Sequence, residues 1–236
     1  MKHDVIYRDA IHHQGFTFDD KVASVFTDMI SRSVPGYAQT LQMVELLAHQ
    51  YAQQGSNLYD LGCSLGAATM SLSRGCADRA CKVIGVDNSP AMVRRCREML
   101  LNEPVDIRCQ NIVDTDIKNA SVVVLNFVLQ FIDQQKRKSL LNSICQGLRP
   151  GGILILSEKI AFTDADENRR QIALHEAFKR AHGYSELEVS RKRSALENVL
   201  IPETLAMHHQ RLGIAGFSSA STWFQCFNFA SIIAWK

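Results

Sequence analysis

A chain of 236 residues, 46% hydrophobic and 21% charged, can bury one sizeable core and lacks the bias of disordered, fibrous or disulfide-scaffold proteins. A formal net charge of +2 is too small to imply a nucleic-acid or membrane partner by itself and does not exclude one, since such partners usually need a concentrated basic face; direct binding of nucleic acid is not expected, the near-neutral charge counting only mildly against it. Seven scattered cysteines (63, 76, 81, 96, 109, 145, 226), an N-terminus without an apolar signal core, and no apolar run near the roughly 18–20 residues that span a bilayer predict free thiols, a cytoplasmic location and no membrane partner.

Apolar spacing predicts a helix from Phe18 to Arg32, with Val22, Val25, Phe26, Met29 and Ile30 on one face and Asp19 and Asp20 at its positive end. "SVPGY" stops it. A second helix is expected from Ala38 to Gln53, broken by "QQGS". An alternation follows: strand 57–61, helix 66–74, strand 82–86, helix 90–101, strands 105–109 and 121–126, helix 134–147, strand 152–157. "SVVVLNF" and "GGILILS" are nearly continuous apolar runs, as strands buried on both faces of a parallel sheet should be. From Asp166 to Glu197 the chain is polar and helix-favouring, which predicts an inserted helical cap. A helix over 203–214 and two β-rich runs, "SSASTWFQCF" and "FASIIAW", close the chain as a hairpin.

The first strand runs into the turn "YDLGCSLGAAT". Gly62 and Gly66 let a ligand approach backbone, but Ser64 and the spacing break the G-x-G-x-x-G fingerprint of dinucleotide sites, so a pyrophosphate cradle and a nicotinamide dehydrogenase are disfavoured. Asp87 ends the next strand, where a carboxylate can accept from two ribose hydroxyls, and Asp60 precedes the first glycine. An anionic rim without phosphate chemistry suits a cationic nucleoside, and S-adenosyl-L-methionine fits. The order D-x-G-x-S-x-G, then "VDNS", then "LNF" resembles the class I methyltransferase fold. This implies a Rossmann-like α/β architecture: a mostly parallel seven-stranded sheet with an antiparallel C-terminal hairpin, N-terminal helices and a helical cap. One domain over 1–236 is expected, with an N-terminal helical segment (1–55), a nucleoside-binding core (56–158), the cap (159–200) and the closing helix and hairpin (201–236).

Longer stretches narrow the resemblance. "FDDKVASVFTDMISRSVPGY", "YDLGCSLGAAT", "NASVVVLNFVLQF" with "LSEK", and "FKRAHGYSELEVSRKRSALENV" with "WFQCFNF" resemble the carboxy-S-adenosyl-L-methionine synthases from about Phe16 onward. The resemblance implies an enzyme that takes S-adenosyl-L-methionine and prephenate to carboxy-S-adenosyl-L-methionine and phenylpyruvate, with no metal. It further implies a homodimer, and a product used by a tRNA carboxymethyltransferase to modify wobble uridine. Carried over by motif, Tyr37, Gly62, Cys63, Ser64, Asp87, Asn88 and Asn126 are expected to contact the nucleoside and amino acid. Arg193 is expected to anchor the new carboxylate, in its own or a neighbouring subunit. Where the family usually has Asp-Ile, this chain has Asn111-Ile112; the Asn carbonyl can still accept from an adenine amino group, and Ile112 offers its backbone. No side chain is assigned as a base.

Plainer readings stand beside these. Arg191-Lys192-Arg193 reads by itself as a solvated helix face, "RRCR" at Arg94–Arg97 as surface, and Tyr37 as a core anchor at a turn. His12-His13 and His208-His209 lack a third ligand at zinc spacing and read as surface residues. Cys63 reads as a small buried residue, and Trp223, Phe224, Phe227 and Phe229 as core or dimer interface. Two rivals remain open at this level. One is an ordinary methyltransferase acting on a small molecule or RNA, although "LNFVLQF" lacks the Asn/Asp-Pro-Pro-aromatic pattern of base methylation. The other is a non-catalytic, S-adenosyl-L-methionine-binding, tRNA-associated module.

Overall fold

The computed structural model describes residues 2–8 and 16–236; His12 and His13 lie outside them. Helix α1 (Asp20–Ser33) starts where the Asp19 carboxylate accepts the Val22 amide hydrogen, and it buries Val22, Val25, Phe26 and Met29. Its successor α2 (Tyr37–Tyr51) follows a turn in which Gly36 has φ +75° and lies so close to the Phe224 ring that a Cβ would strike it.

The predicted alternation is present as β1 (Asn57–Leu61), α3 (Ala67–Gly75), β2 (Lys82–Asp87), α4 (Pro90–Met99), β3 (Val105–Cys109), β4 (Ala120–Asn126), α5 (Gln134–Gly147) and β5 (Leu148–Ala161). The cap is α6 (Ala165–Ala181) and α7 (Glu186–Leu196), and the chain closes with β6 (Glu203–Thr204), α8 (Leu205–Ile214), β7 (Ser219–Cys226) and β8 (Phe229–Trp235). The sheet order is β3-β2-β1-β4-β5-β8-β7, with parallel pairing from β3 to β5 and antiparallel pairing of β8 to both neighbours. Val122 to Leu125 of β4 are fully buried between an apolar layer on each face, which is why their sequence shows no alternation.

The sheet path contains the seven expected strands, and the two-residue β6 pairs with β5 off that path as an eighth among the described residues. β5 is also fourteen residues long, where the apolar run suggested six. Glu158 and Lys159 look like a strand end, yet β8 pairs with β5 as far as Lys159, and β6 adds a short parallel pairing at Ile160 and Ala161. The Glu158 carboxyl oxygens are satisfied locally: they accept the amide hydrogens of Leu129 and Gln130 at 2.8 and 3.0 Å. Burial nevertheless pushes its pKa up to about 8.

A second buried charge fixes the loop after β4. Arg137, fully buried, donates to the carbonyls of Ile132, Gln130 and Ile201. It also meets Glu203 as an ion pair at 2.6 Å, without hydrogen-bond alignment on that nitrogen. Arg211 forks the same carboxylate at 2.7 and 2.5 Å. This lock joins the β4–α5 loop to the chain returning from the cap.

His208 corrects the surface reading: it is 2% exposed beside this ionic cluster, and burial drives its pKa down to about 4, so the ring is neutral. Its burial could not be read from a dipeptide. His209 is half-buried and bonds Thr222 at 2.9 Å. Arg94, Arg95 and Arg97 are exposed, as expected.

The cap is held by α1 and the N-terminal residues. His175 of α6 bonds the Ser33 carbonyl at 2.8 Å, and Lys192 of α7 donates to the Ser33 hydroxyl at 2.9 Å. Buried Asp4 accepts the Tyr184 hydroxyl at 2.6 Å, while its own amide donates to Asp28 at 2.7 Å. Arg32 then pairs with Asp28 and lies 4.0 Å from the Tyr184 ring centre.

Candidate active site

A cavity of about 690 Å³ opens at the carboxyl ends of β1, β2 and β4 and extends under the cap. This is where a doubly wound sheet places its ligands. All ten sequence-predicted residues line it: Tyr37, Gly62, Cys63, Ser64, Asp87, Asn88, Asn111, Ile112, Asn126 and Arg193.

The turn after β1 is built from left-handed backbone. Gly62 and Gly66 have φ of +85° and +84°, and Ser64 has φ +47°, a conformation that non-glycine residues adopt at a cost. A Cβ on Gly62 would strike the Val128 side chain. The Gly62 and Cys63 amides both donate to the Val86 carbonyl, at 2.7 and 3.0 Å, so the turn is pinned to the next strand. The Ser64 amide donates to Asp87 Oδ2 at 2.9 Å, and Ser89 donates to Asp87 Oδ1 at 2.8 Å. Each Asp87 oxygen keeps a further lone pair for a ligand. Cys63 is buried, and its bond to the Cys96 thiol, with burial, holds its pKa far above the ordinary thiol range. It is a packing residue, not a nucleophile.

Two buried acceptors beside the turn have no protein partner. Asp60 accepts the Thr69 hydroxyl through Oδ2 at 2.7 Å, but its Oδ1 is unpartnered, as is Oδ1 of Asn126. Burial, reinforced by the Asp87 charge and opposed by Thr69, pushes the Asp60 pKa up to about 6. Tyr37 stands close enough for the Asp60 charge to add to burial in raising its phenol pKa. Phe127 follows Asn126 at φ +63°, with its ring 6.4 Å from that of Tyr37 and 5.9 Å from that of Phe229. Unpaired buried acceptors beside a turn that leaves no room for a Cβ fit a ligand that carries an ammonium or sulfonium group.

At the other end of the nucleoside half, Ile112 is buried and Asn111 is exposed. The Asn111 carbonyl oxygen already accepts the Val113 amide at 3.3 Å, capping a short 3₁₀ turn over Ile112–Asp114. One lone pair is left for a ligand. Asn88 is exposed at the rim.

The cap half is basic. Lys159, Lys179, Lys192 and Arg193 line it, with Glu176 and His175 between them. Arg193 donates to Glu176 at 3.0 Å. Burial drives Lys179 and Lys192 down to about 8, and the charges of Lys192 and Lys159 add to the effect on Lys179. Burial, with the neighbouring lysines, also drives His175 to about 3, so it is neutral.

The triplet read as a solvated face divides three ways. Arg191 donates to the carbonyls of Tyr7 and Arg8, Lys192 is buried, and Arg193 faces the cavity. Lys179 and Lys192 had no signal in the sequence, because a charged helix ordinarily faces water. Of the aromatic stretch, Phe229 reaches the cavity and Trp223 packs against the core. No cluster of metal-binding side chains occurs among the described residues.

A methyltransferase domain family model matches residues 58–152. Solved structures share the fold at low identity. Human N-acetylserotonin methyltransferase in complex with S-adenosyl-L-methionine is 17% identical at a TM-score of 0.62, matching 92% of this chain and 55% of that longer one. A Methanococcus maripaludis protein assigned as an S-adenosyl-L-methionine-dependent methyltransferase is 18% identical at 0.62, over 96% and 97% of the two chains. Relatives named carboxy-S-adenosyl-L-methionine synthase are far more similar. That of Citrifermentans bemidjiense is 57% identical over 94% of this chain and 93% of its own, and that of Aliivibrio fischeri 54% over 99% and 98%. That of Erwinia tasmaniensis is 51% identical over 99% and 97%. With such identity across nearly the whole of both chains, this chain belongs to the carboxy-S-adenosyl-L-methionine synthase family.

Proposed function

We propose that this chain converts S-adenosyl-L-methionine and prephenate to carboxy-S-adenosyl-L-methionine, phenylpyruvate and water. The observation that carries the reading is the polarity of this cavity. Buried carboxylates at the strand ends suit a cationic sulfonium substrate, and four cations under the cap suit a dicarboxylate beside it. Tyr37, the Gly62-Cys63-Ser64 turn, Asp87, Asn88 and Asn126 hold the nucleoside and its amino acid, and Asn111 and Ile112 hold the base.

The sulfonium acidifies its methyl group. Prephenate gives up carbon dioxide and hydroxide as its ring becomes aromatic; the hydroxide takes the methyl proton, and the resulting carbanion captures carbon dioxide. No protein base is needed. The walls supply proximity, since carbon dioxide held in one cavity meets the carbanion before it escapes. Arg193 binds the carboxylate through paired N–H bonds from its planar guanidinium.

Incubation with both substrates should yield a product heavier than S-adenosyl-L-methionine by one carbon dioxide, with phenylpyruvate in equal amount by mass spectrometry. Labelled methyl transferred to an acceptor, with no such product, would overturn the reading. We further assign the product to a tRNA carboxymethyltransferase acting on wobble uridine, and the chain to a cytoplasmic homodimer. All seven cysteines are free, in keeping with that compartment.

The raised pKa of Asp60 gives a directional test. A cation binds the ionised carboxylate, so affinity for S-adenosyl-L-methionine should weaken as pH falls through about 6, by about ten-fold between pH 7 and pH 5. The Asp60→Asn protein should lose that step in calorimetric titrations. A step of the same size in Asp60→Asn would remove Asp60 from the role.

A further inference from the structure

The cations under the cap are not equivalent. Arg193 has Glu176 as a partner at 3.0 Å. Lys192 donates to Ser33 and sits 3.7 Å from the Asp4 carboxylate. Among the described residues, the Lys159 and Lys179 ammonium groups have no hydrogen-bond or ion-pair partner at all. Lys179 is nevertheless only 7% exposed, and Lys159 is half-buried.

Two such charges on one cavity wall repel each other and lose solvation, an arrangement that a fold keeps where a ligand supplies the missing anion. Each stands on a rigid element. Lys159 lies on β5, where its amide donates to the Gln130 side chain at 2.9 Å, and Lys179 lies in the last turn of α6. The cross-strand partner of Lys159 is Phe229, whose buried ring meets that of Phe127 at 5.9 Å, and both rings line the same cavity as Lys159. Unpaired cations next to aromatic rings match a carboxylate attached to a six-membered carbocycle.

On the reaction proposed above, which this step assumes, prephenate brings two carboxylates with different fates. Arg193 is assigned the one that moves. We propose that Lys159 and Lys179 form the subsite for the other, the 2-oxo acid carboxylate that leaves on phenylpyruvate. The two cations, which share the Glu176 charge with Arg193, then meet a dianion, and they retain a monoanionic product after the second carboxyl has gone.

The test uses Lys179→Met, Lys159→Met and Lys179→Arg in the full chain, with affinity for S-adenosyl-L-methionine as the control for folding. In Lys179→Met and Lys159→Met, KM for prephenate should rise at least ten-fold, and inhibition by phenylpyruvate should weaken by a similar factor. Affinity for S-adenosyl-L-methionine should stay within two-fold, and Lys179→Arg should recover most of the loss. An unchanged phenylpyruvate inhibition constant in both methionine variants would overturn the subsite. If the wild-type protein forms no carboxylated product, the reaction itself fails. Direct binding of phenylpyruvate to the wild type and its loss in Lys179→Met then still decide the role of the lysines.

Discussion

Arg193→Ala should slow formation of the carboxylated product by on the order of 100-fold, with affinity for S-adenosyl-L-methionine within about two-fold of wild type. The reason is local charge. The guanidinium pairs with Glu176 on the cavity wall, so truncation removes the anchor for the moving carboxyl and leaves an unpaired carboxylate in its place. Arg193→Lys keeps the charge but not the planar fork, and should fall between the two. Initial rates of product formation by mass spectrometry decide the matter. An Arg193→Ala protein working at the wild-type rate would exclude this residue from the step. Glu176→Gln, which frees the guanidinium, should lower activity far less than Arg193→Ala does.

The second large effect is expected at Asp87. Its two oxygens hold the Ser64 and Ser89 amides, so Asp87→Ala removes the proposed ribose contact and unpairs two largely buried N–H groups at once. At about 1–3 kcal/mol for each such group, the fold should lose about 2–6 kcal/mol. Affinity for S-adenosyl-L-methionine should drop more than about 100-fold, because Ser64 sits at φ +47° and loses the bond that helps hold it there. Asp87→Asn keeps one good acceptor and should do about half the damage in both thermal melting and calorimetric titration. Wild-type affinity in Asp87→Ala would show that the carboxylate serves only to tie the turn.

How far the sequence could be read differs between the two halves of the cavity. The nucleoside half lies on a short path of chain: apolar runs such as "NLYDL" and "KVIGVD" end in turn residues, so Asp60, Gly62 and Asp87 fall at strand ends that periodicity alone locates. The cap half depends on how α6 and α7 settle on α1. Lys179 and Lys192 lie in helices whose composition reads as solvated, and it is the docking of the cap on α1 and the N-terminal residues, through contacts such as those of His175 and Lys192 with Ser33, that buries them. Arg193 was found through the family resemblance; spacing would have left it on the surface. β5 outran its apolar run because β8 continued the pairing past Glu158, and a strand cannot announce its partner's length. Asn111 was expected to offer its carbonyl to the base, and the structure shows that oxygen already half-used by the Val113 amide.

Asp4 and Tyr184 meet across 180 residues of chain. During synthesis Asp4 leaves the ribosome long before Tyr184 and Lys192 exist, so the nascent N-terminus waits with an unmatched acid while the strands β1 to β5 pair behind it. The wall that carries Arg193 is therefore among the last parts of the molecule that can be completed. A chain interrupted within the cap could still present the turn at Gly62 while lacking every cation of α7, and it would have the means to engage a nucleoside without the means to carboxylate it.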